Sequence, residues 1–410
     1  MSRFLFVVPP LLGHIQPARG IAAELTSRGH QVAWCGSLMS LRPVLGDDAV
    51  IFKTGSRIHR PQADRGLASL KSLWSEFIVS YARFTRPAVA KAVAEFEPDV
   101  LISDQHTPAG ALVAHAAGLP WATLACSTIE LTRPYRGLPR VEAWIGSQLD
   151  RICADAGVSA DGLGFDLRFS PHLVLSLTSA RFAGPPVTDG PPAATAAVRQ
   201  VGPCFGPRAD DPDFDWDWLD AGKQLILFST GTLAAELADD FYRRALAALA
   251  GTEDRWQAIL VTDPATVPAP PRHVRVAARV PMLALMPRLA AVVCHGGLNT
   301  VSEALAHGVP LVVAPIRHDQ PVNASLVAAA GAGRRIAFNR FTPAQLRTVL
   351  DTVLSDPSYR AAAAAVGNSF AAAGGSRAAA THLEELHLAE LATTMPSANG
   401  QLAFAERESR

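Results

Sequence analysis

Short apolar runs alternate with stretches of helical length along much of the chain, with weak periodicity over about 56–90 and 128–170 and one acidic break between two such series. FLFVVPP reads as a strand, PARGIAAELTSRG as a helix that starts after Pro17 and stops at Gly29, and HQVAWCG as the next strand. RPAVAKAVAEFEP, VLISD, TPAGALVAHAAG, PWATLAC and LVLSLTS continue the pattern as helix, strand, helix, strand and strand. After VGPCFGP comes RADDPDFDWDWLDAG, an acidic segment flanked by Pro and Gly and without a strand pattern. Alternation then resumes through QLILFST, WQAILVTD, HVRVAARV, AAVVCH, a helix from about Asn299 to His307, and PLVVAPI. Strands apolar on both faces belong inside parallel sheets covered by helices. The pattern predicts two doubly wound α/β domains, residues 1–205 and 221–375, joined by a linker over 206–220 and followed by a helix and polar tail over 376–410. Ligands of such sheets lie beyond the C-terminal strand ends at the point where strand order reverses, so two facing domains enclose a cleft.

Composition narrows the function. Of 410 residues, 49% are hydrophobic and 18% charged, and 37 Lys and Arg balance 37 Asp and Glu. A neutral chain is a poor nucleic-acid binder, which needs an excess of cations. Neutrality still permits an anion site built from backbone N–H groups and a helix dipole. No run is long enough to span a membrane. The opening MSRFLFVVPPLLGH superficially resembles a secretory leader, but Pro9 and Pro10 break its apolar run, so a strand entering a loop is expected. Five cysteines without a CxxC pair argue against disulfides and zinc, and a cytoplasmic location is expected. The same reading leaves a monomer or homodimer open.

Polar residues gather at the predicted strand ends. His14 follows the first strand and can accept a proton near neutral pH. Asp104 ends VLISD in the same domain, and a carboxylate on one ring nitrogen would leave the other free to act as base. There is no GxSxG elbow and no Cys–His couple to support a covalent intermediate. In the second domain, AAVVCH runs into His295-Gly296-Gly297 and a helix carrying Asn299, Thr300 and Glu303. Glycines let a ligand approach the backbone, the helix start attracts phosphate, and Glu303 lies one turn below Asn299 on the same face. Asp319 and Gln320 offer acceptors and a donor for sugar hydroxyls.

The run HGGLNTVSEALAHGVPLVVAPIRHDQ, His295 to Gln320, resembles the donor-binding signature of GT-B glycosyltransferases. It is closest to the inverting family of plant and bacterial natural-product glycosyltransferases and the UDP-glucuronosyltransferases. PPLLGHIQP, DQHTPAGA and FSTGT extend the likeness over almost the whole chain and are similar to the carotenoid (zeaxanthin-type) and macrolide branches. The resemblance implies two facing Rossmann-like domains and transfer of a hexose, glucose-like in preference, from a UDP- or dTDP-sugar to a small acceptor without a required metal. By this likeness His14 is the base and Asp104 its partner. Ser229, Thr230, Gly231 and His295 meet the donor phosphates, with the N–H groups of Asn299 and Thr300, and Gly13 and Gly297 also belong to the donor site. Val280 and Arg279 face the nucleobase, Glu303 the ribose, and Asp319 and Gln320 the sugar. Met282 stands after Val280-Pro281 where many family members have Gln, which weakens a uracil-specific reading. The acceptor pocket is expected from 56–90 and 128–150, with Trp74, Phe77, Tyr81 and Trp144 facing an apolar or aromatic molecule. The D-x-D spacings in DPDFDWD fall in the linker, away from a strand end, and argue little for a metal–diphosphate site. Asn323-Ala-Ser325 matches a glycosylation sequon that a cytoplasmic chain would not use. Two rival readings are a UDP-sugar 2-epimerase of the same fold and a non-catalytic nucleotide-sugar-binding partner.

Overall fold

The structure is a computed structural model that describes residues 1–55, 66–186, 198–206, 211–231 and 235–394. Residues 56–65 of the expected acceptor region, 207–210 of the linker and the polar tail from Ser397 lie outside the described residues. The first sheet is formed by β1 (Arg3–Val7), β2 (Gln31–Ser37), β3 (Val50–Thr54), β4 (Val100–Asp104), β5 (Trp121–Ala125), β6 (Leu173–Ser176) and β7 (Val198–Gln200). Its order is β3-β2-β1-β4-β5-β6-β7, all parallel. The second contains β8 (Gln224–Ser229), β9 (Trp256–Val261), β10 (Val274–Ala277), β11 (Leu289–Cys294), β12 (Leu311–Val313) and β13 (Gly333–Arg335) in the order β10-β9-β8-β11-β12-β13, again parallel. Both lobes are therefore Rossmann-like. Order reverses between β1 and β4 in one lobe and between β8 and β11 in the other.

Central strands are buried on both faces, as their unbroken apolar runs require: all five residues of β4 and of β5 are buried. Apolar side chains therefore pack on each side of each sheet. In the first lobe Leu5, Leu101 and Trp121 lie in one cluster, and Phe4, Phe6 and Ile102 in the other. In the second, Phe228 and Leu260 face one way, and Leu227 and Ile259 the other.

Five helices set up the cleft: α1 (Leu12–Ser27), α2 (Val79–Phe96), α3 (Leu298–Ala306), α4 (Gln320–Ala329) and α5 (Gly375–Thr394). α1 corrects the expected start after Pro17, because Pro17 lies inside the helix. Proline lacks the N–H that would bond the carbonyl four residues back, here that of Gly13. The helix survives because that carbonyl finds another donor, Asn299 Nδ2 of the second lobe at 3.1 Å. Before α2 the chain forms an α-helical turn over Leu67–Ser72 and a π-helical stretch over Leu73–Ile78. The wider π turns shift the helical phase, which explains the weak periodicity of this region in sequence.

α5 returns to the first lobe. Ala379, Ala380 and Leu383 join the cluster of Phe4, Ile15 and Ile21, and Glu384 accepts from Arg28 at 2.6 Å and His30 at 2.8 Å. The linker is bound to the second lobe. Arg275 packs its guanidinium over Phe214 and Trp218 and pairs with Asp215 at 2.8 Å, so one of the D-x-D carboxylates serves this ion pair.

Candidate active site between the lobes

The two order reversals bring together the segments that follow β1 and β4, and those that follow β8 and β11. Val7 is in register with Ser103, and Ser229 with Cys294. Each reversal therefore presents two polar loop starts side by side, and the two lobes present theirs to each other.

On the first lobe His14 occupies the opening turn of α1, and its Nδ1–H donates to Asp104 Oδ2 at 2.8 Å. The second Asp104 oxygen accepts the backbone N–H of His106 at 2.8 Å. Burial by itself disfavours imidazolium, but the charge and hydrogen bond of Asp104, with Asp319 adding, carry the His14 pKa above 6.5. Burial likewise disfavours the Asp104 carboxylate, and His14 outweighs it, holding the acid below its ordinary value. The pair thus favours proton uptake on His14 with Asp104 ionised. His14, Asp104 and His106 also place nitrogen and oxygen atoms within 4.8 Å of one another, a donor set that transition metals accept.

On the second lobe the His295 ring lies between Gly231 and Gly297. A Cβ at Gly231 would stand 2.5 Å from His295 Cε1, and one at Gly297 2.6 Å from Nε2. Gly296 has φ +90°, and a Cβ there would meet Val313 at 2.8 Å. These glycines therefore make room for an imidazole and a tight turn of the protein itself. Burial, with Arg317 nearby, lowers the His295 pKa to about 4, so the ring is neutral at working pH. Its Nδ1 has no hydrogen-bond partner among the described residues.

α3 begins at Leu298 with Gly297 as its N-cap, and no side chain caps it. Its first N–H groups and dipole point out of the Gly turn, as an anion site requires. Thr300 is partly buried, and Glu303 is buried on this helix. With Gln16, Pro17, Cys204 and Asn299, Glu303 lines a cavity between α1, α3 and the start of the linker. Ser229 and Thr230 are buried, and their groups are partly engaged. The Thr230 N–H donates to the Tyr242 hydroxyl at 3.2 Å, and the Gly231 N–H to Ser229 Oγ at 3.3 Å. Val280 is buried and Arg279 exposed at the rim of the same sheet.

Asp319 and Gln320 are each partly engaged within the protein. Gln320 Oε1 accepts the N–H groups of Ile316 and Arg317, both at 2.9 Å, so its carbonyl holds the loop and only its amide remains for a ligand. Asp319 Oδ2 accepts from Asn323 Nδ2 at 2.9 Å. Burial raises the Asp319 pKa, partly offset by Asn323 and by His14 across the cleft.

The expected acceptor aromatics are mostly core. Trp74, Phe77 and Tyr81 are 1%, 4% and 3% exposed and pack in the first-lobe cluster, with Phe77 stacked on Tyr81. Their area is used by packing, so they present no wall to a ligand in this conformation. Trp144 is partly buried against the same cluster from the Pro139–Ala156 helix.

Two residues escaped the sequence reading. Asn323, seen there only as a sequon, is fully buried; its amide also donates to the Gly296 carbonyl at 2.9 Å, and its carbonyl accepts from Thr128 Oγ1 of the first lobe at 2.9 Å. His106 lies against His14 with ring centroids 4.7 Å apart. Its place two residues after Asp104 was the available signal.

Residues 258–386 match the family model for the C-terminal domain of erythromycin biosynthesis protein CIII-like proteins. The chain is 28% identical to 4'-demethylrebeccamycin synthase of Lentzea aerocolonigenes, over 90% of this chain and 96% of that protein. It is 26% identical to zeaxanthin glucosyltransferase of Pantoea ananas, over 94% and 96%. Among solved structures, the glycotransferase of kitacinnamycin superposes with a TM-score of 0.76 at 25% identity, covering 94% of this chain and 98% of that one.

Proposed function

Because the chain is a GT-B-fold glycosyltransferase related to the natural-product, macrolide and carotenoid enzymes, we propose that it transfers a hexose, glucose-like in preference, from a UDP- or dTDP-sugar to a hydroxyl of a small acceptor, with inversion. The 2.8 Å contact between His14 and Asp104 at the strand-order reversal carries this reading. Asp104 fixes the proton on Nδ1, which leaves Nε2 as the base.

His14 Nε2 removes the acceptor proton as the oxygen attacks the anomeric carbon from the face opposite the diphosphate. The new C–O bond forms as the bond to the diphosphate oxygen breaks, and the leaving group takes the electron pair. Its charge grows in front of the α3 N-terminus, where backbone N–H groups are already oriented. His295, being neutral, assists by hydrogen bonding rather than charge. Glu303 receives the ribose hydroxyls, and Asp319 with the Gln320 amide orients the sugar. The acceptor is small and apolar or aromatic, a class supported by the similarity to 4'-demethylrebeccamycin synthase and zeaxanthin glucosyltransferase.

The test is product formation by wild type and His14→Ala with UDP- and dTDP-glucose and a panel of hydroxylated aromatics. A fall of about 10²–10⁴-fold in kcat is expected for the variant. Unchanged transfer by His14→Ala would remove the assigned base.

A further inference from the structure

His106 has no part in the reaction just described, yet its position is costly. It is 7% exposed, and neither ring nitrogen has a hydrogen-bond partner among the described residues. Gln105 beside it is 3% exposed, with both amide atoms unpartnered on the same terms. Buried polar groups without partners are costly, and native structures keep few of them. The ring is no ordinary member of the lobe's core. His14 lies against it on one side at 4.7 Å and a tilt of 40°, and the charge of His318, from the second lobe, acts on it as well. His106 therefore sits at the seam between the lobes. His318 is held there in the left-handed region, φ 54°, with its N–H on Ser69 Oγ of the first lobe at 3.4 Å.

The chemistry of the ring is also defined. Burial, then the neighbouring His14, lowers the His106 pKa to about 3, so at neutral pH it offers one N–H donor and one bare nitrogen acceptor. Asp104 makes the two imidazoles unequal, since its side chain takes the His14 ring but only the backbone N–H of His106. One ring is thus equipped to move a proton, and the other to hold a polar atom beside it.

We propose that His106 is an acceptor-specificity residue, whose ring hydrogen-bonds a second oxygen on the acceptor next to the hydroxyl that His14 deprotonates. The acceptor class is then a vicinal dihydroxy or hydroxy-keto compound, because oxygens on neighbouring carbons can each meet one of two rings 4.7 Å apart. The inference rests on the transfer reaction with His14 as base.

Alizarin and 2-hydroxyanthraquinone share a skeleton and differ by that neighbouring hydroxyl. Wild type, His106→Leu and His106→Gln are compared on both, with UDP- and dTDP-glucose as donors. The ratio of kcat/KM values between the two acceptors is expected to fall about tenfold in His106→Leu, the worth of one buried hydrogen bond. Gln keeps a donor and an acceptor and should restore most of it. Comparing ratios between variants cancels the acceptors' own difference in reactivity. Equal ratios in wild type and His106→Leu overturn the proposal. Should His106→Leu fail to fold, His106→Phe takes its place in the same comparison, and a ratio equal to that of wild type does the same. If wild type transfers to neither compound, the reaction reading fails separately. Fluorescence titration then decides for His106: tighter binding of alizarin that weakens about tenfold in the variant supports its role, and equal binding overturns it.

Discussion

At His14, the proposed base, two effects on the pKa oppose each other. Burial pulls its pKa down, but the Asp104 carboxylate 2.8 Å away, helped by Asp319, brings it above 6.5. A base works only unprotonated, so kcat/KM should rise with pH through a limb above 6.5. Asp104→Asn removes the raising charge and leaves the burial, so the limb should move to lower pH while the plateau falls. A pH profile of kcat/KM for both proteins checks this, and an unmoved limb would mean another group is titrating. Gly231 yields a second expectation, since a Cβ there would sit 2.5 Å from the His295 ring at φ +71°. Gly231→Ala should cost about 1–3 kcal/mol of stability and weaken donor binding, read by thermal melting with and without nucleotide sugar. His14 and Asp104 were legible in sequence because polar residues at the ends of apolar strands stand out. The purpose of the Gly turn was less so: its glycines suggested room for a ligand, and much of that room holds His295. Asn323 was not legible, because its partner Thr128 lies 195 residues away.

Among elements, the strands not read from sequence are β3, β7 and β13, each at a sheet edge. Edge strands have one neighbour and keep contact with water, so VRQ and GRR lack the apolar runs that mark central strands, and VIFKT turns polar at Lys53-Thr54. α1 was read too short for a different reason. Proline usually starts or breaks a helix, and the carbonyl that Pro17 leaves unpaired is taken by a residue of the other lobe. The destination of α5 was open in sequence, since an alanine-rich helix fits many surfaces. The structure seats Leu383 at 0% exposure among first-lobe residues. Leu383→Ala should therefore destabilise the first lobe by about 2–5 kcal/mol. Denaturant unfolding monitored by first-lobe tryptophan fluorescence measures it. A loss confined to the second lobe would contradict the packing.

Beside the apolar seat of first-lobe Phe182 on Phe370, polar contacts around the cleft tie the lobes together. Asn299 reaches Gly13, Ser69 meets His318, and Thr128 donates to Asn323. The last has the widest reach, because Asn323 also holds Asp319 and the Gly296 carbonyl. The Asp319 carboxylate and the Gly296 turn are thereby tied to the first lobe through one buried amide. The proposed donor site also suits a chain with 37 cationic and 37 acidic side chains, since oriented N–H groups rather than excess charge would meet a diphosphate. Thr128→Val keeps the shape and removes the donor, leaving Asn323 Oδ1 buried without it, at about 1–3 kcal/mol. That cost falls on the conformation in which the lobes touch and is relieved when they part. The variant should fold with little loss in the separate lobes, bind nucleotide sugar about tenfold more weakly, and hydrolyse a larger share of it per transfer as water reaches the cleft. Calorimetric donor binding and the ratio of free to transferred sugar report the two effects. Wild-type values for both would mean that Thr128 is packing alone and that Asn323 orients Asp319 without reference to the first lobe.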